Sequence, residues 1–297
     1  MKILVIIVTY NAMQWAERCF NSLRKSTVKP DVFVVDNGST DGTQAYIQVN
    51  YSEILFIQSE NNLGFGRANN LGIEYAINNG YDYVYLLNQD AWVEKDMLEK
   101  LISVSKENPK YGILSPTQMQ ADMKSLDKNF AYNIHVKPEV FKSFNDYFKE
   151  DKTGVVELDY IMAAHWLITR ECIMKVGAFS PSFPHYGEDN NYCHRVLYHG
   201  LKIGVVPSAK AVHDRQYRIE PKSKKMYIGY ISSIIGLSNI NRPVKAPVFD
   251  IVRNQFALMI KNKSFEPIKY TIRLLRELKT ILANRRVSMK EGAFLSR

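Results

Sequence analysis

Residues 83–90 read Tyr-Val-Tyr-Leu-Leu-Asn-Gln-Asp, and this stretch decides the fold class. Its first five residues are apolar or aromatic, so it predicts a strand buried on both faces of a sheet. The run then stops at three polar residues, the last of which is Asp90. A buried parallel strand delivers such a carboxylate to the carboxyl edge of the sheet, where open α/β sheets bind ligands. Taken alone, Asp90 would more simply begin a loop or cap the helix near Asp96.

Other buried runs alternate with helical patterns along the first two thirds of the chain. We expect strands at 3–8, 32–35, 54–57, 83–87, 160–169 and 202–206, and helices at 14–25, 68–77, 96–106, 171–176 and 188–199. This alternation predicts βαβ units and therefore an α/β fold with a largely parallel sheet. Residues 118–155 have a weaker pattern, and we interpret them as a variable insertion over one face, outside the core.

The composition is that of a globular protein in a reducing compartment. Three cysteines, Cys19, Cys172 and Cys193, are far apart and form no CxxC pair, which argues against a zinc site or a disulfide framework. The apolar run at 3–8 is too short for a secretory signal and lacks a cleavage site, so it predicts a strand. No segment reaches the ~20 apolar residues that span a bilayer. We expect a cytoplasmic location, with the cytoplasmic face of a membrane as the alternative.

The net charge of +9 is concentrated in the C-terminal third. Residues 1–200 hold 19 Lys and Arg against 24 Asp and Glu, whereas residues 201–297 hold 20 against 6, a net charge of +14. A basic region of this kind is typical of proteins that meet nucleic acid or anionic lipid. No RNA-binding or zinc-finger pattern accompanies the charge, so we expect no nucleic-acid partner.

A dinucleotide-binding fold would carry GxGxxG directly after the first strand, and this chain has no such motif there. The nearest match begins at Gly64 and includes Arg67, but it lacks the third glycine and follows the third strand. Its glycines still suit a helix N-terminus that approaches a phosphate.

Several other polar residues follow predicted strands or begin a predicted helix. Asp36 ends the second strand, where it either accepts a hydrogen bond from a nucleobase or only forms a turn with Asn37. Glu188 and Asp189 begin a helix, where one carboxylate is explained by capping and a second is less usual. His213 follows the last strand, and a single histidine is more often structural than a metal ligand.

Taken together, these segments resemble the family 2 glycosyltransferases in their order and spacing. The matching segments are Val8–Asn11, Val34–Thr43, Asn61–Phe65, Leu86–Asp90, Tyr186–Asp189 and Val212–His213. The resemblance implies a GT-A fold over residues 1–215: a single Rossmann-like, mostly parallel central sheet flanked by helices. Residues 216–297 would then form a basic, mostly helical C-terminal extension.

The resemblance also implies roles for individual residues. Asp189 would be the base that deprotonates the acceptor hydroxyl, with Glu188 beside it. Asp90 and His213 would contact a divalent cation, Mg²⁺ or Mn²⁺, on the diphosphate. The nucleotide would be held by residues from several motifs: Thr9, Tyr10, Asn11, Asp36, Asn37, Gly64, Arg67, Asn88 and Gln89.

Two departures from the family pattern bear on the substrate. The metal motif is commonly Asp-x-Asp, but here Asn88 takes the first position, which implies weaker metal binding or more reliance on the diphosphate. The Asn-x-Asp form is similar to that of rhamnosyltransferases that use dTDP-linked deoxysugars. The Gln-x-x-Arg-Trp motif of processive synthases is absent, so one sugar per encounter is expected.

The expected activity is therefore inverting, non-processive transfer of a sugar from a UDP- or dTDP-linked donor to a carbohydrate or lipid-linked acceptor. We expect acceptor contacts from 118–155 and from His165 and Trp166, although Trp166 is equally suited to the core. A sugar nucleotidyltransferase is the alternative enzyme, but it would need a basic, glycine-rich loop after the first strand. The other alternative is a basic nucleic-acid-binding protein.

A basic helix near the C-terminus has an apolar face. Ile268, Ile272, Leu275, Leu278 and Leu282 fall near one side, and lysines and arginines flank it. Such a helix is able to lie in the headgroup layer of an anionic membrane. Periodicity cannot distinguish this from packing on the catalytic domain, and both interpretations stay open here.

Overall fold

A computed structural model describes residues 1–150, 152–215 and 223–296. The strands within this part of the chain are β1 (Ile3–Thr9), β2 (Asp31–Asp36), β3 (Leu55–Gln58), β4 (Tyr83–Asn88), β5 (Ala91–Val93), β6 (Tyr111–Met119), β7 (Val156–Leu158), β8 (His165–Thr169) and β9 (Lys202–His213). The helices are α1 (Met13–Arg24), α2 (Thr43–Asn50), α3 (Phe65–Asn78), α4 (Met97–Glu107), α5 (Lys128–His135), α6 (Pro138–Lys149), α7 (Arg170–Val176), α8 (Glu188–Tyr198), α9 (Ser223–Ser238), α10 (Pro247–Asn262) and α11 (Glu266–Val287).

All described strands join one mixed sheet in the order β3-β2-β1-β4-β8-β6-β9-β5, with β7 also paired to β9. The half formed by β3, β2, β1 and β4 is parallel, as the alternation of strands and helices predicted. Strand β4 lies between β1 and β8, and its central residues are buried, which confirms the opening prediction. The register aligns Thr9 with Asp36 and Val8 with Asn88, so three strand ends lie level at one edge.

Apolar side chains fill the space on both faces of the sheet. One cluster lies beneath α3, α7 and α8, and the other lies beneath α1 and α4. Trp166 on β8 belongs to the first cluster, where it stacks on Phe179 and contacts Tyr192. Because strands are buried on both sides, they read as continuous apolar runs in the sequence.

The prediction for residues 118–155 is wrong in part. This segment forms α5 and α6, and it contributes Phe130 and Phe144 to the main core cluster. Both rings are buried and contact each other edge to face. Helices α5 and α6 contact the core through only a few large side chains, which are spaced among Lys and Asp residues. The helical periodicity of apolar residues in the sequence is therefore weak.

Strand β6 was not predicted, although all of its residues are buried. Its second half reads Ser-Pro-Thr-Gln, which lacks the apolar run that marks the other strands. Pro116 is accommodated at a register shift between β6 and β9, where the ladder is irregular. Proline in a sheet is confined to such bulges and to edges.

The C-terminal helices α9, α10 and α11 pack together around a third apolar cluster that also takes in Phe183. The chain end returns to the sheet domain, where Ala178 donates a backbone hydrogen bond to Ala293. The predicted extension begins with residues 216–222, which lie outside the described residues, and its boundary as a separate domain stays a prediction. In the described part of the chain, no helix has the length and hydropathy required to cross a bilayer.

Candidate active site

Asp36 is the centre of a hydrogen-bond cluster at the end of β2. Its Oδ1 accepts from the backbone amides of Gly38 and Ser39 and from Gln44 Nε2, at 3.1, 2.8 and 2.7 Å. Its Oδ2 accepts from Thr9 Oγ1 at 2.8 Å and Ser39 Oγ at 2.6 Å. The carboxylate is fully buried, and these contacts hold the loop after β2. Its contact with a nucleobase stays a prediction.

The loop after β1 is tied to the neighbouring strand ends. The Tyr10 amide donates to Gln89 Oε1 at 2.6 Å, and Gln89 Nε2 donates back to the Tyr10 carbonyl at 3.1 Å. Asn11, which has a left-handed backbone with φ 51°, accepts at Oδ1 from the Thr40 amide at 2.8 Å. Tyr10 itself is half exposed. These contacts make Tyr10 an outward-facing ring on a fixed loop at the carboxyl edge of the sheet.

Asn37 and Gly64 join two further segments to this edge. Asn37 is buried, and its Oδ1 accepts from the Leu63 amide at 3.3 Å. Gly64 precedes α3 with φ 78°, and a Cβ there would lie 2.3 Å from the Pro184 carbonyl oxygen. The close approach that requires this glycine is therefore made by protein backbone. Arg67, in the first turn of α3, is exposed.

Asp90 and His213 form a buried pair beyond the end of β4. Ala91 pairs with His213 across β5 and β9, which brings His213 Nε2 to 3.5 Å from Asp90 Oδ1. Asn88 Nδ2 lies 3.4 Å from the same ring nitrogen. On the other side of the ring, Arg215 Nε donates to Nδ1 at 3.2 Å. A ring that accepts from Arg215 at Nδ1 would carry its hydrogen on Nε2, whereas the contact with Asn88 Nδ2 would need Nε2 to accept, so the two contacts require different tautomers.

This donor set fits a divalent cation only in part. A carboxylate oxygen such as Asp90 Oδ1 is the kind of ligand that Mg²⁺ and Mn²⁺ prefer. His213 would offer a lone pair at Nε2 only if Arg215 released Nδ1. Within the described residues, no three His, Cys, Asp or Glu side chains cluster closely enough to hold a metal ion. A cation here would therefore need further oxygen ligands, such as those of a diphosphate.

Asp189 and Glu188 begin α8 in contrasting surroundings. Asp189 is partly exposed, and its Oδ2 accepts a hydrogen bond from Tyr160 Oη at 2.8 Å. Glu188 is buried, and burial, with a smaller contribution from the charge of Asp189, raises its pKa to about 8. Glu188 therefore holds a proton at neutral pH, whereas Asp189 offers an accessible carboxylate.

Tyr160 connects Asp189 to the sheet edge where Asp90 lies. It lies a few residues before β8, and the Asn88 amide at the end of β4 donates to the Ala164 carbonyl at 3.1 Å. Sequence reasoning missed both Tyr160 and Arg215. Neither has a motif around it, and only the fold reveals what each side chain contacts.

Two of the residues predicted to contact the acceptor, His165 and Trp166, do not reach the surface. Trp166 is fully buried in the core, so neither face of its ring is available to a sugar. His165 is also buried; its Nδ1 lies 2.8 Å from Tyr85 Oη and its Nε2 lies 3.0 Å from the Val212 carbonyl. Both residues stand on β8, where successive side chains enter opposite faces of a sheet that is covered on both sides.

Comparison with known proteins decides the family. The model for glycosyl transferase family 2 matches residues 4–177. The chain belongs to this family. It is a glycosyltransferase, and the resemblance seen in its motifs is confirmed.

Relatives and solved structures agree with this assignment. The N-acetylglucosaminyl-diphospho-decaprenol L-rhamnosyltransferase of Mycobacterium tuberculosis is 26% identical over 234 residues, which cover 72% of this chain and 76% of that enzyme. A crystal structure of S. aureus TarS aligns with TM-score 0.62 at 16% identity, over 98% of this chain and 83% of that chain. A crystal structure of GalNAc-T7 with UDP, GalNAc and Mn²⁺ aligns with TM-score 0.55 at 14% identity, over 80% of this chain and 50% of that chain. These likenesses confirm the predicted GT-A fold.

Proposed function

We propose that this glycosyltransferase is inverting and non-processive, and that it moves one sugar from a nucleoside-diphosphate sugar to an acceptor hydroxyl in cell-surface polysaccharide or glycolipid assembly. The observation that carries the proposal is the arrangement of carboxylates on a family 2 fold. Asp90 lies just beyond the end of β4, and Asp189 begins α8 with its side chain held by Tyr160. The first suits a diphosphate-bound cation, and the second suits a base.

Asp189 is the proposed general base. An acceptor hydroxyl is a weak nucleophile until a positioned carboxylate takes its proton, and such help typically gives about 10²–10⁴-fold. The hydrogen bond from Tyr160 fixes one carboxylate oxygen and leaves the side chain partly exposed to an acceptor. Glu188 is less suited to this role because it holds its own proton at neutral pH. A single displacement by the activated hydroxyl inverts the anomeric centre.

Asp90 is the proposed cation ligand, with His213 beside it. When bound, Mg²⁺ or Mn²⁺ would act as a Lewis acid that stabilises the charge of the departing nucleoside diphosphate. A related fold, GalNAc-T7, was solved with UDP and Mn²⁺, which supports a divalent cation. In this chain, His213 Nε2 lies 3.5 Å from Asp90 Oδ1, and Asn88 takes the place of a second carboxylate.

The proposed donor is a UDP- or dTDP-linked sugar, and a dTDP-linked deoxyhexose is the first candidate. The Asn88–Asp90 motif resembles that of rhamnosyltransferases, and a rhamnosyltransferase is among the relatives. TarS has a similar structure and was solved with UDP-GlcNAc, so a UDP-linked sugar is the second candidate donor. Tyr10, Asn11 and Asn37 lie on the fixed loops that would receive the nucleotide.

The proposed acceptor is a carbohydrate, most simply one linked to a lipid. The mycobacterial relative is named for a diphospho-decaprenol acceptor. With a lipid-linked acceptor, the transfer reaction would take place at a membrane surface. We propose that this surface is the cytoplasmic face of the membrane. The three cysteines are free thiols buried in the fold, as suits a reducing compartment.

A thermal-shift screen tests the proposed function. UDP-, GDP- and dTDP-sugars are each added with Mg²⁺, with Mn²⁺ or with chelator, and the parent mononucleotides serve as controls. A ligand at 100 times its Kd should stabilise the fold by about 2.7 kcal/mol. We expect a nucleoside-diphosphate sugar to raise Tm in the presence of metal. Stabilisation by nucleoside triphosphates with sugar phosphates alone would instead favour a nucleotidyltransferase.

A further inference from the structure

Helix α10 carries a row of large apolar side chains that face away from the protein. Phe249, Val252, Phe256 and Ile260 are spaced by three, four and four residues, which puts them on one face of the helix. Phe249 is 62% exposed, Phe256 59% and Ile260 65%. Isolated exposed apolar residues are ordinary, but a continuous row of this size marks an interaction surface.

The apolar row continues through the turn into α11. Phe265, just before α11, is 80% exposed, and Ile268, Ile272 and Leu275 follow it on one outward face. These last three belong to the stripe that the sequence left open between membrane and catalytic domain. The structure leaves them exposed, whereas Leu274 and Ile281 of the same helix are buried. We call Phe249, Val252, Phe256, Ile260, Phe265 and Ile268 the outer surface.

The inner faces of both helices already have their partners. On α10, Ile251 is buried and Gln255 Nε2 donates to Ser233 Oγ of α9 at 3.0 Å. On α11, Tyr270 stacks on Tyr230 of α9 with 5.2 Å between ring centroids. The packing of the helix unit therefore does not use the outer surface.

Basic side chains surround this apolar surface. Residues 247–287 hold nine Lys and Arg against three Asp and Glu. Lys261, Lys263, Arg276 and Lys279 are exposed and make no ion pair within the described residues. The Arg253 guanidinium lies 5.7 Å from the Phe249 ring centre, beside the row itself. Long basic side chains can extend from an apolar surface into lipid headgroups.

We propose that the outer surface docks on an anionic lipid bilayer, with the aromatic side chains entering the headgroup boundary and the surrounding cations contacting lipid phosphates. An amphipathic helix with a basic rim has the chemistry for this contact, and each cation near an anionic leaflet adds to it. A second copy of the chain is a poorer occupant, because two such surfaces would bring like charges together. The inference rests on the proposed function in one respect, namely that a lipid-linked acceptor is found at a membrane.

Contacts through α9 connect this surface to the candidate base. Tyr227 Oη of α9 donates to the His185 carbonyl at 3.0 Å, and Ile231 lies against Gly187, where a Cβ would come within 2.8 Å of it. Gly187 is the residue before Glu188 and Asp189. Docking would therefore hold the start of α8 in a fixed relation to the bilayer, which suits an acceptor that extends from the membrane.

Vesicle flotation with the full chain tests the proposal. Vesicles of phosphatidylglycerol and of phosphatidylcholine are compared at low and high salt, with Phe249→Ser/Phe256→Ser as the test variant. Val49→Ser/Tyr132→Ser is the control, because those large side chains are at least as exposed and lie on the catalytic part of the chain. We expect binding to phosphatidylglycerol at low salt, a loss of about tenfold or more in the test variant, and no change in the control.

A second variant reports insertion directly. Phe256→Trp should show a blue-shifted emission that brominated lipid quenches, and Val49→Trp should not. A full chain that stays with the soluble fraction at low salt overturns the proposal, as does equal binding by the test variant. So does a dimer in solution that the test variant converts to a monomer, because the surface would then join two copies. Since flotation needs neither donor nor acceptor, its failure is distinct from failure of the proposed transfer reaction.

Discussion

Asp189 is a partly exposed carboxylate whose Oδ2 accepts a hydrogen bond from Tyr160 and whose Oδ1 accepts from the amide of Asn190. We expect Asp189→Asn to retain donor binding and to lose about 10²–10⁴-fold in single-turnover sugar transfer, because the amide cannot take a proton. Transfer and donor Kd are measured together. Asp159→Asn is the control, since Asp159 is an exposed carboxylate paired with Lys137. Transfer within about threefold of wild type would remove Asp189 as the base and move the assignment to Glu188.

Glu188 predicts a pH dependence of stability. Burial raises its pKa from the usual 4.5 to about 8, so the folded protein holds a proton that the unfolded chain releases between these values. The stability that the protonated form contributes is therefore lost as pH rises toward 8, at about 1 kcal/mol per pH unit. We expect Glu188→Gln to remove this loss, as measured by denaturant unfolding at pH 5.5, 7 and 8.5. A variant with the same pH slope as wild type would contradict the buried, protonated state.

The individual residues show how far sequence reasoning reached. It identified Asp90 because a charge after a buried run is visible in one dimension. It did not find Arg215, which contacts the nearby His213 outside any recognisable motif, or Tyr160, whose partner Asp189 is 29 residues away. It assigned Trp166 to an acceptor surface or to the core, and only packing against Phe179 decided for the core. Contacts between distant residues are set by the fold and leave no local pattern.

At the scale of elements, the end of α7 requires a glycine at position 177. Gly177 follows α7 with φ 91°, and a Cβ there would meet the backbone of Ala293. Arg195 Nη1 also donates to the Ala178 carbonyl at 2.6 Å, so this point joins α7, α8 and the C-terminal segment. A side chain at this position would have to displace backbone.

We expect Gly177→Ala to destabilise the protein by about 1–3 kcal/mol more than Gly200→Ala. Gly200 is the matched control, because its φ of 76° is also left-handed but a Cβ there meets nothing within 4 Å. Both variants pay the conformational cost of alanine at positive φ, and only the first adds a clash. Chemical denaturation measures the difference. Equal losses in the two variants would show that the contact with Ala293 is not tight.

Elements were predicted best where burial is uniform. The apolar runs of β1, β2 and β4 lie between packed helices on both faces and read directly from the sequence. Strand β6 is equally buried, but its polar residues Ser115, Thr117 and Gln118, which each donate a side-chain hydrogen bond within the fold, interrupt the apolar run. Helices α5 and α6 were interpreted as an insertion because their core contacts are few and aromatic.

At the scale of the whole molecule, the family 2 fold places loops from β1, β2 and β4 at one edge and brings the start of α8 to them through Tyr160. The charge is distributed unevenly along the chain. The acidic first two thirds hold most of the candidate site, and the basic last third holds His213, Arg215 and the outer surface. The charge and the apolar stripe of α11 are visible in the sequence. The exposed row on α10 is visible only once the packing of α9, α10 and α11 is known.

The central claim is that Asp90 binds a nucleoside diphosphate through a divalent cation. Calorimetric titration of UDP and dTDP into wild type and Asp90→Ala, each with Mn²⁺ and with chelator, tests it most directly. Asp96→Ala is the control, because Asp96 is a surface carboxylate paired with Lys100. We expect the Asp90 variant to lose about tenfold or more in affinity with Mn²⁺ and little with chelator. Equal affinities of wild type and Asp90→Ala in the presence of Mn²⁺ would contradict the account.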